Sequence, residues 1–496
     1  FKNFAWKGMS GVNGYVQNFN NFKNNATVDK VRIDEQSSNS IKVTILTTGI
    51  SNAIYIPKNI YQFNKSYSIK ISSEGYNEGD LSLSFYASSV STATTVKVPL
   101  NPNGITEIPA IKEDDFLAVY LNVGGKVGLI TIEQLPLYPG ALVFDGVDDY
   151  GICDNFPILT KEKGYTVVAL RQWIEEKNDS TALVSNCEKW GKNGAFLFEY
   201  NNLRINFLNV AISFGHVSSV DRGKSPFSYQ TSKLYNGKNI EPGSLIGSNE
   251  LVVGKGNKDF STVSKVAIWE LIILDHDATE EELTKIKDYF VKTYPWLFPN
   301  QAWTVVGKTN EDEDRATIAN ITSNGNDLVL SNFGFIEGSG YNEEGEYAGY
   351  LVTDGADDKI VSSVFGMGKD FTIVGDWKFI DNKKSGTGLV KGSSFYIYNT
   401  MIGLDLYINL GSVKNSLDGI KSINAACSDG RAYDRNWNEI LANTGNVVGS
   451  GGTLEVSSSG GRFDRIAFKN LAIYPRIFSK DDCIKAYNYL QTLKAK

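Results

Sequence analysis

Phe144-Asp145-Gly146-Val147-Asp148-Asp149-Tyr150 returns later in the chain as Thr353-Asp354-Gly355-Ala356-Asp357-Asp358-Lys359, at an offset of 209 (353 less 144). Outward from this element, Leu183-Val184-Ser185-Asn186 returns as Leu389-Val390-Lys391-Gly392, at an offset of 206 (389 less 183). Val266-Ala267-Ile268 and Leu271-Ile272-Ile273 return as Ile466-Ala467-Phe468 and Leu471-Ala472-Ile473, at 200 (466 less 266). Landmarks in one order at nearly constant spacing mean two copies of one domain. The period far exceeds the roughly 20–50 residues of solenoid units. The expectation is therefore beads in series, with a multivalent or architectural role.

A helix closes each copy. Thr279-Glu280-Glu281-Glu282 and Ser479-Lys480-Asp481-Asp482 each place a hydroxyl at the N-cap and an acid at N3, the first a full capping box. Leu283, Ile286 and Phe290 recur as Cys483, Ala486 and Leu490, one apolar stripe that lays each helix against a sheet. Before the first copy, Ser40 to Ile45, Leu81 to Tyr86, Thr95 to Leu100 and Phe116 to Leu121 alternate apolar and polar residues, the pattern of half-buried strands. Strands this frequent, with no convincing helix, imply a sandwich. Tyr235-Asn236-Gly237-Lys238 reads as a hairpin tip, because Asn-Gly suits a type I′ turn.

The resulting reading is all-β: a lead-in at 1–15, a β-sandwich at 16–140, a jelly roll at 141–299, a polar lead-in or linker at 300–347 and a second jelly roll at 348–496. Asn332-Phe333-Gly334-Phe335 with Gly338-Ser339-Gly340-Tyr341 is similar to Asn3-Phe4-Ala5-Trp6 with Ser10-Gly11. One lead-in is thus used twice, with the sandwich inserted after its first use.

The chain has 496 residues, is 42% hydrophobic and 21% charged, and carries a formal charge of −7 without a basic cluster. That balance argues against nucleic acid, whose binding rests on phosphate neutralisation by Lys and Arg. No apolar run reaches the roughly 18–20 residues that cross a bilayer, so no membrane insertion is expected. Cys153, Cys187, Cys427 and Cys483 form no Cys-x-x-Cys and no Cys/His pairing, which speaks against zinc. Buried free thiols are the favoured reading, with a Cys153–Cys187 disulfide as the alternative. The chain opens on Phe1 without an initiator Met or signal peptide, as a processed chain or a piece of a longer one would.

At the Phe-Asp-Gly-x-Asp-Asp-Tyr element the chain resembles the laminin G-like, concanavalin A-type jelly-roll domains. The resemblance runs on through Thr166 to Trp173, Leu183-Val184-Ser185, Tyr235 to Lys238 and Thr279 onward. In the second copy it runs through Phe371-Thr372-Ile373, Trp377, Leu389-Val390 and Ser479 onward, about 300 residues in all. The closing strand departs from the family pattern, with Ser264-Lys265 and Asp464-Arg465 where Asp-Glu is usual. The second copy has Tyr433-Asp434-Arg435-Asn436-Trp437 in place of the Asn-Gly hairpin.

The resemblance, with the Asn-rich lead-ins, is similar to structural and adhesion proteins of tailed phages infecting Bacteroidales. It implies a non-enzymatic virion protein, a fibre or capsid-decoration component presenting lectin-like domains to a host-surface glycan or protein and contacting other virion proteins. The place implied is the virion surface or the extracellular space. A bacterial surface glycan-binding protein of a polysaccharide-utilisation system is the alternative. A homotrimer suits a phage fibre, but no heptad run here would drive it.

Glycosidases on this fold need two carboxylates on one strand, and no Glu-x-Asp-x-x-Glu-type string is present. The nearest, Asp275-His276-Asp277-Ala278-Thr279-Glu280, precedes the helix and reads as capping. His216 and His276 have no nucleophile motif beside them. No catalytic residue is assigned. Asp145, Asp148 and Asp149, with Asp354, Asp357 and Asp358, have the oxygen chemistry that calcium takes; the same residues also suit a turn whose side chains hold backbone amides. Trp190, in the loop from Cys187 to Gly194, would stack on a sugar ring if exposed, with packing as the alternative. Trp173 and Trp377 recur in both copies and are assigned to the core.

Overall fold

The computed structural model describes residues 4–7, 14–25, 29–49, 52–87, 95–113, 116–160, 162–175, 181–187, 194–200, 205–207, 216–218, 225–239, 247–322, 326–365, 368–381, 388–392, 395–399, 406–410, 416–417, 423–441, 452–456, 458–459 and 462–495. Its regular secondary structure is almost entirely antiparallel strands in face-to-face sheets, so the architecture is the all-β sandwich expected from the alternating runs. Among the described residues two α-helices occur, α1 (Glu280–Thr293) and α2 (Lys480–Gln491). Two compact units interleave along the chain: residues 1–14 with 138–299, and residues 15–137 with 300–496.

In the first unit a seven-stranded sheet is ordered Phe4–Lys7, Tyr150–Asp154, Glu250–Val253, Val184–Cys187, Gly194–Phe198, Ile205–Phe207, His216–Ser218. Residues 4–7 thus pair with the strand that follows the Asp turn, Phe4 opposite Cys153 and Lys7 opposite Tyr150. A six-stranded sheet centred on Lys265–Leu274 and Thr166–Glu175 faces it. Phe144, Tyr165, Phe196, Phe198, Leu251 and Val266 fill the space between; each contributes on the order of 2–3 kcal/mol of burial free energy. Asn236 and Gly237 both have positive φ (45° and 81°), as a type I′ hairpin requires.

In the second unit residues 15–137 form two five-stranded sheets. The alternation in Ser40–Ile45 sends Ile41, Val43 and Ile45 into a core shared with Ile69, Ile71, Phe85, Val119, Leu121, Ile130 and Ile132. The second repeat lies between two eight-stranded sheets. The stretch expected to be a polar linker supplies part of them. Gln301–Thr304 pairs with Arg465–Tyr474 and Leu328–Ser331 with Lys359–Phe365. Trp303 is fully buried, its indole N–H donating to the Asn326 carbonyl at 2.8 Å. The acidic run Glu311 to Asp314 is confined to turns between these strands, where Asp312 accepts from the Thr309 N–H at 3.0 Å.

One latch recurs in both repeats. Thr166 donates its hydroxyl to the His276 carbonyl at 2.7 Å and accepts from Ala278 N–H at 2.7 Å. Thr372 does the same with Arg476 (2.8 Å) and Phe478 (3.0 Å). The strand threonine thereby fixes where the helix starts. Thr279 and Glu282 complete the capping box of α1, and Ser479 caps α2 through the Asp482 N–H. All four cysteines are buried and free, including Cys153 and Cys187, so the disulfide alternative is not realised.

The second unit also shows why its two parts cohere. Glu107, on the sandwich strand Ile105–Ile108, accepts from the Tyr487 hydroxyl of α2 at 2.6 Å and lies 3.8 Å from Arg435. The second repeat and the sandwich are therefore not independent beads.

Candidate functional site

The two Asp turns are built alike. Asp145 Oδ1 accepts from Val147 and Asp148 N–H (2.7 and 3.4 Å), and Asp149 Oδ2 accepts from Asp145 N–H (3.1 Å). Asp354 accepts from Ala356 and Asp357 N–H, and Asp358 from Asp354 N–H at 2.7 Å and from the Ser339 hydroxyl at 3.0 Å. Burial pushes the Asp358 carboxyl up to about 6, against the hydrogen bond from Asp354. In each turn three carboxylates offer one oxygen apiece within 4.8 Å of one another. Calcium takes six to eight oxygens; here Asp145, Asp149, Asp354 and Asp358 accept from N–H or O–H donors, while Asp148 and Asp357 are exposed. The turns as built hold backbone.

Trp190 lies outside the described residues. Trp173 and Trp377 are core residues, as assigned, but they are not counterparts. Trp173 pairs with Val266 and Phe379 with Ile466, while Arg171 pairs with Ile268 and Trp377 with Phe468. Since Val266 and Ile268 correspond to Ile466 and Phe468, the place of Arg171 is taken by Trp377 and that of Trp173 by Phe379. The bulges at Leu170/Arg171 and at Asp376/Trp377 are themselves equivalent, and the two strands correspond throughout at an offset of 206 (372 less 166).

Arg171 is at the centre of a buried knot. Its guanidinium reaches Glu199 at 2.6 Å, and Glu199 also accepts from the Trp173 indole (2.6 Å) and the Ser228 hydroxyl (2.5 Å). Burial alone would raise the Glu199 carboxyl, but the Arg171 charge and these hydrogen bonds outweigh it and hold the carboxyl low. Such a carboxylate is closed to a substrate and spent on structure. Two acids at the start of α1 are likewise committed, Asp277 just before it to Ser232 N–H and hydroxyl (2.8 Å each) and Glu282 in its first turn to the cap.

The surface with the most distinctive chemistry is on the N-terminal sandwich. In the strands Ala53–Pro57, Phe116–Asn122 and Ser82–Ala87, the inward positions Ile54, Ile56, Val119, Leu121, Leu83 and Phe85 fill the core. The alternation then turns Tyr55, Tyr120 and Tyr86 outward. Tyr55 is directly opposite Tyr120, and the ring of Tyr120 lies 5.5 Å from the rings of both Tyr55 and Tyr86. Tyr86 is 37% exposed, and Leu117, at the bulge beside it, 57%. Along the same face Asn122 donates to the Ser82 and Ser84 hydroxyls at 3.1 and 2.8 Å. Ser82 and Ser84 are buried and take the Asn122 amide, so what the face offers a ligand is its partly exposed tyrosine rings, which suit stacking. The sequence carried this signal in the polar half of each alternating run, where a tyrosine recurs on three strands; only the strand pairing shows that the three meet.

No protein-family model matches the chain, and no curated protein matches it in sequence. Among solved structures, Trypanosoma rangeli sialidase in complex with sialic acid is 10% identical, with 91% of this chain and 82% of that chain covered and a TM-score of 0.24. A mutant of the same sialidase displaying trans-sialidase activity is 9% identical, covering 93% and 83%, at 0.27. The binding domain of botulinum neurotoxin serotype D is 9% identical, covering 70% and 89%, at 0.24. Similarity this low carries no argument about function.

Proposed function

We propose that this chain is a non-enzymatic adhesion protein that holds glycan on an open sheet face. The observation that carries this reading is the outward row of Tyr55, Tyr120 and Tyr86, whose rings lie 5.5 Å apart on adjoining strands. Weak stacking contacts on such a face gain strength by multiplication rather than by depth of pocket. The setting that the sequence resemblance supports is a tailed-phage fibre or capsid-decoration component, at the virion surface or outside the cell, with host-surface glycan and neighbouring virion proteins as partners. The non-enzymatic part is supported by Glu199, Asp277 and Glu282 being tied into structural contacts.

The test is a glycan array that includes bacterial capsular polysaccharides, probed with the intact chain, Tyr120→Ala and Trp190→Ala. Binding lost in Tyr120→Ala and kept in Trp190→Ala is the expected result. Loss only in Trp190→Ala moves the site to the first jelly roll. Absence of binding to every glycan refutes glycan adhesion and leaves protein docking. Turnover of a glycan would overturn the non-enzymatic assignment.

A further inference from the structure

The tyrosine row is bounded by charge of one sign. Lys23 is directly opposite Tyr55, Tyr55 opposite Tyr120, Tyr120 opposite Ser84 and Ser84 opposite Lys97. Directly opposed residues in antiparallel strands point to the same face, so the five form one row across five strands. Four inter-strand steps of about 4.8 Å give it a span of roughly 19 Å. Lys23 and Lys97 are exposed, and neither has a carboxylate partner among the described residues. The outward positions flanking the row, Ala53, Pro57, Ala118, Asn122, Ser82, Tyr86 and Pro99, include no Asp or Glu. In a chain of net charge −7, a face whose described outward positions hold two cations and no acid is a local reversal of the overall field, and it selects for negative ligands.

We infer that this face binds an anionic polysaccharide, one whose sugar rings stack on Tyr55, Tyr120 and Tyr86 while its carboxylates or sulfates meet Lys23 and Lys97. The inference rests on the glycan-adhesion reading and adds the class of glycan to it. The rings stand in the middle of the row and a lysine at each end, so an extended polymer lying across the strands meets rings between two cations. An acidic peptide would satisfy the lysines but would leave the open aromatic faces without a matching flat partner.

The experiment is titration of the intact chain with hyaluronate, alginate and polygalacturonate, each beside its carboxyl-reduced neutral form, at low and at raised salt. Binding of an acidic form well above its neutral form is expected, weakening as salt rises. Lys23→Ala with Lys97→Ala should cost about tenfold in affinity, the combined effect of two exposed ion pairs at the upper end of their usual range. That pair of changes should leave Tm unaltered and flatten the salt dependence. Tyr120→Ala should abolish binding, with Tyr120→Phe restoring it. Equal binding of acidic and neutral forms, unmoved by the lysine changes, overturns the anionic inference and leaves glycan adhesion standing. Binding that no tyrosine change weakens, or that an acidic peptide reproduces, overturns the site. Failure of all six polysaccharides, with array binding to other neutral glycans, refutes this inference alone; failure of the array as well refutes the reading beneath it.

Discussion

The two repeats solve one packing problem in opposite ways. At the bulge in the long central strand, the first repeat places Arg171 and pairs it with Glu199, both essentially inaccessible to solvent. At the corresponding bulge the second repeat places Trp377, 1% exposed, whose indole N–H finds no partner among the described residues. Gly375 makes room for it, since a Cβ there would lie 2.2 Å from the Trp377 ring. An ion pair and an aromatic side chain thus fill equivalent space. The comparison teaches that the fold specifies volume at this point and leaves polarity to each copy, in keeping with the near-equivalence of buried ion pairs and well-packed apolar replacements.

The helices differ in a second way. α1 buries Leu283 and Phe290, whereas α2 buries Cys483, Ala486, Tyr487, Asn488, Tyr489 and Leu490. The wider buried surface of α2 includes Tyr487, bonded to Glu107 of the sandwich.

The largest effect expected from this comparison is in the polar copy. Glu199→Ala leaves the Arg171 charge buried and uncompensated, and should cost about 3–5 kcal/mol in a urea titration. Trp377→Phe, at the corresponding place, should cost under about 1.5 kcal/mol; equal costs would refute the contrast. Gly375→Ala should overpack the second repeat by about 1–3 kcal/mol, while Ala169→Gly in the first should cost only about 1 kcal/mol. Tyr487→Phe removes a hydrogen bond to a carboxylate and should cost about 1.5 kcal/mol. It should also make residues 15–137 easier to release by limited proteolysis; an unchanged digestion pattern would remove Glu107 from its joining role.

A smaller, pH-dependent difference follows at the helix entries. His276 is raised above the usual histidine range by its hydrogen bonds to Glu282 and then Asp275. Because the folded value is the higher one, its stabilisation is fully present below the ordinary value of 6.5 and is lost as pH rises through the folded value. Arg476 stands in the corresponding position (476 less 276 is 200). His276→Ala should therefore lower Tm slightly at pH 5.5 and not at pH 9, and Arg476→Ala should show no such dependence. The smallest expected effect is zero. Replacing EDTA with millimolar calcium should leave Tm unchanged, because Asp145, Asp149, Asp354 and Asp358 already accept from N–H or O–H donors. A calcium-dependent rise abolished by Asp148→Asn would show that the first turn holds the metal.

Much of this was legible in residues alone. The paired Asp turns, the hydroxyl-capped helices, the Asn236-Gly237 hairpin and the alternating runs are local patterns, and local backbone geometry obeys them. Trp173 and Trp377 are not equivalent because the strands correspond at an offset of 206, the offset that Leu183 and Leu389 also give, which sets Arg171 against Trp377; a shared residue type is a weaker guide than constant spacing. The linker reading of 300–347 gave weight to Glu311 to Asp314 and too little to Trp303, whose burial depends on a partner strand more than 160 residues away.

By itself, then, the sequence determined that this is an all-β chain with two related sandwich domains, because strand alternation and helix capping act over a few residues. Only the tertiary structure decided which distant strands meet. It brought Tyr55, Tyr86 and Tyr120 into one row between Lys23 and Lys97, joined Glu107 to Tyr487 and assigned residues 15–137 to the unit of the second repeat. Those pairings rest on non-local contacts whose entropy of closure is met by cooperative burial, a term that no short stretch of sequence contains.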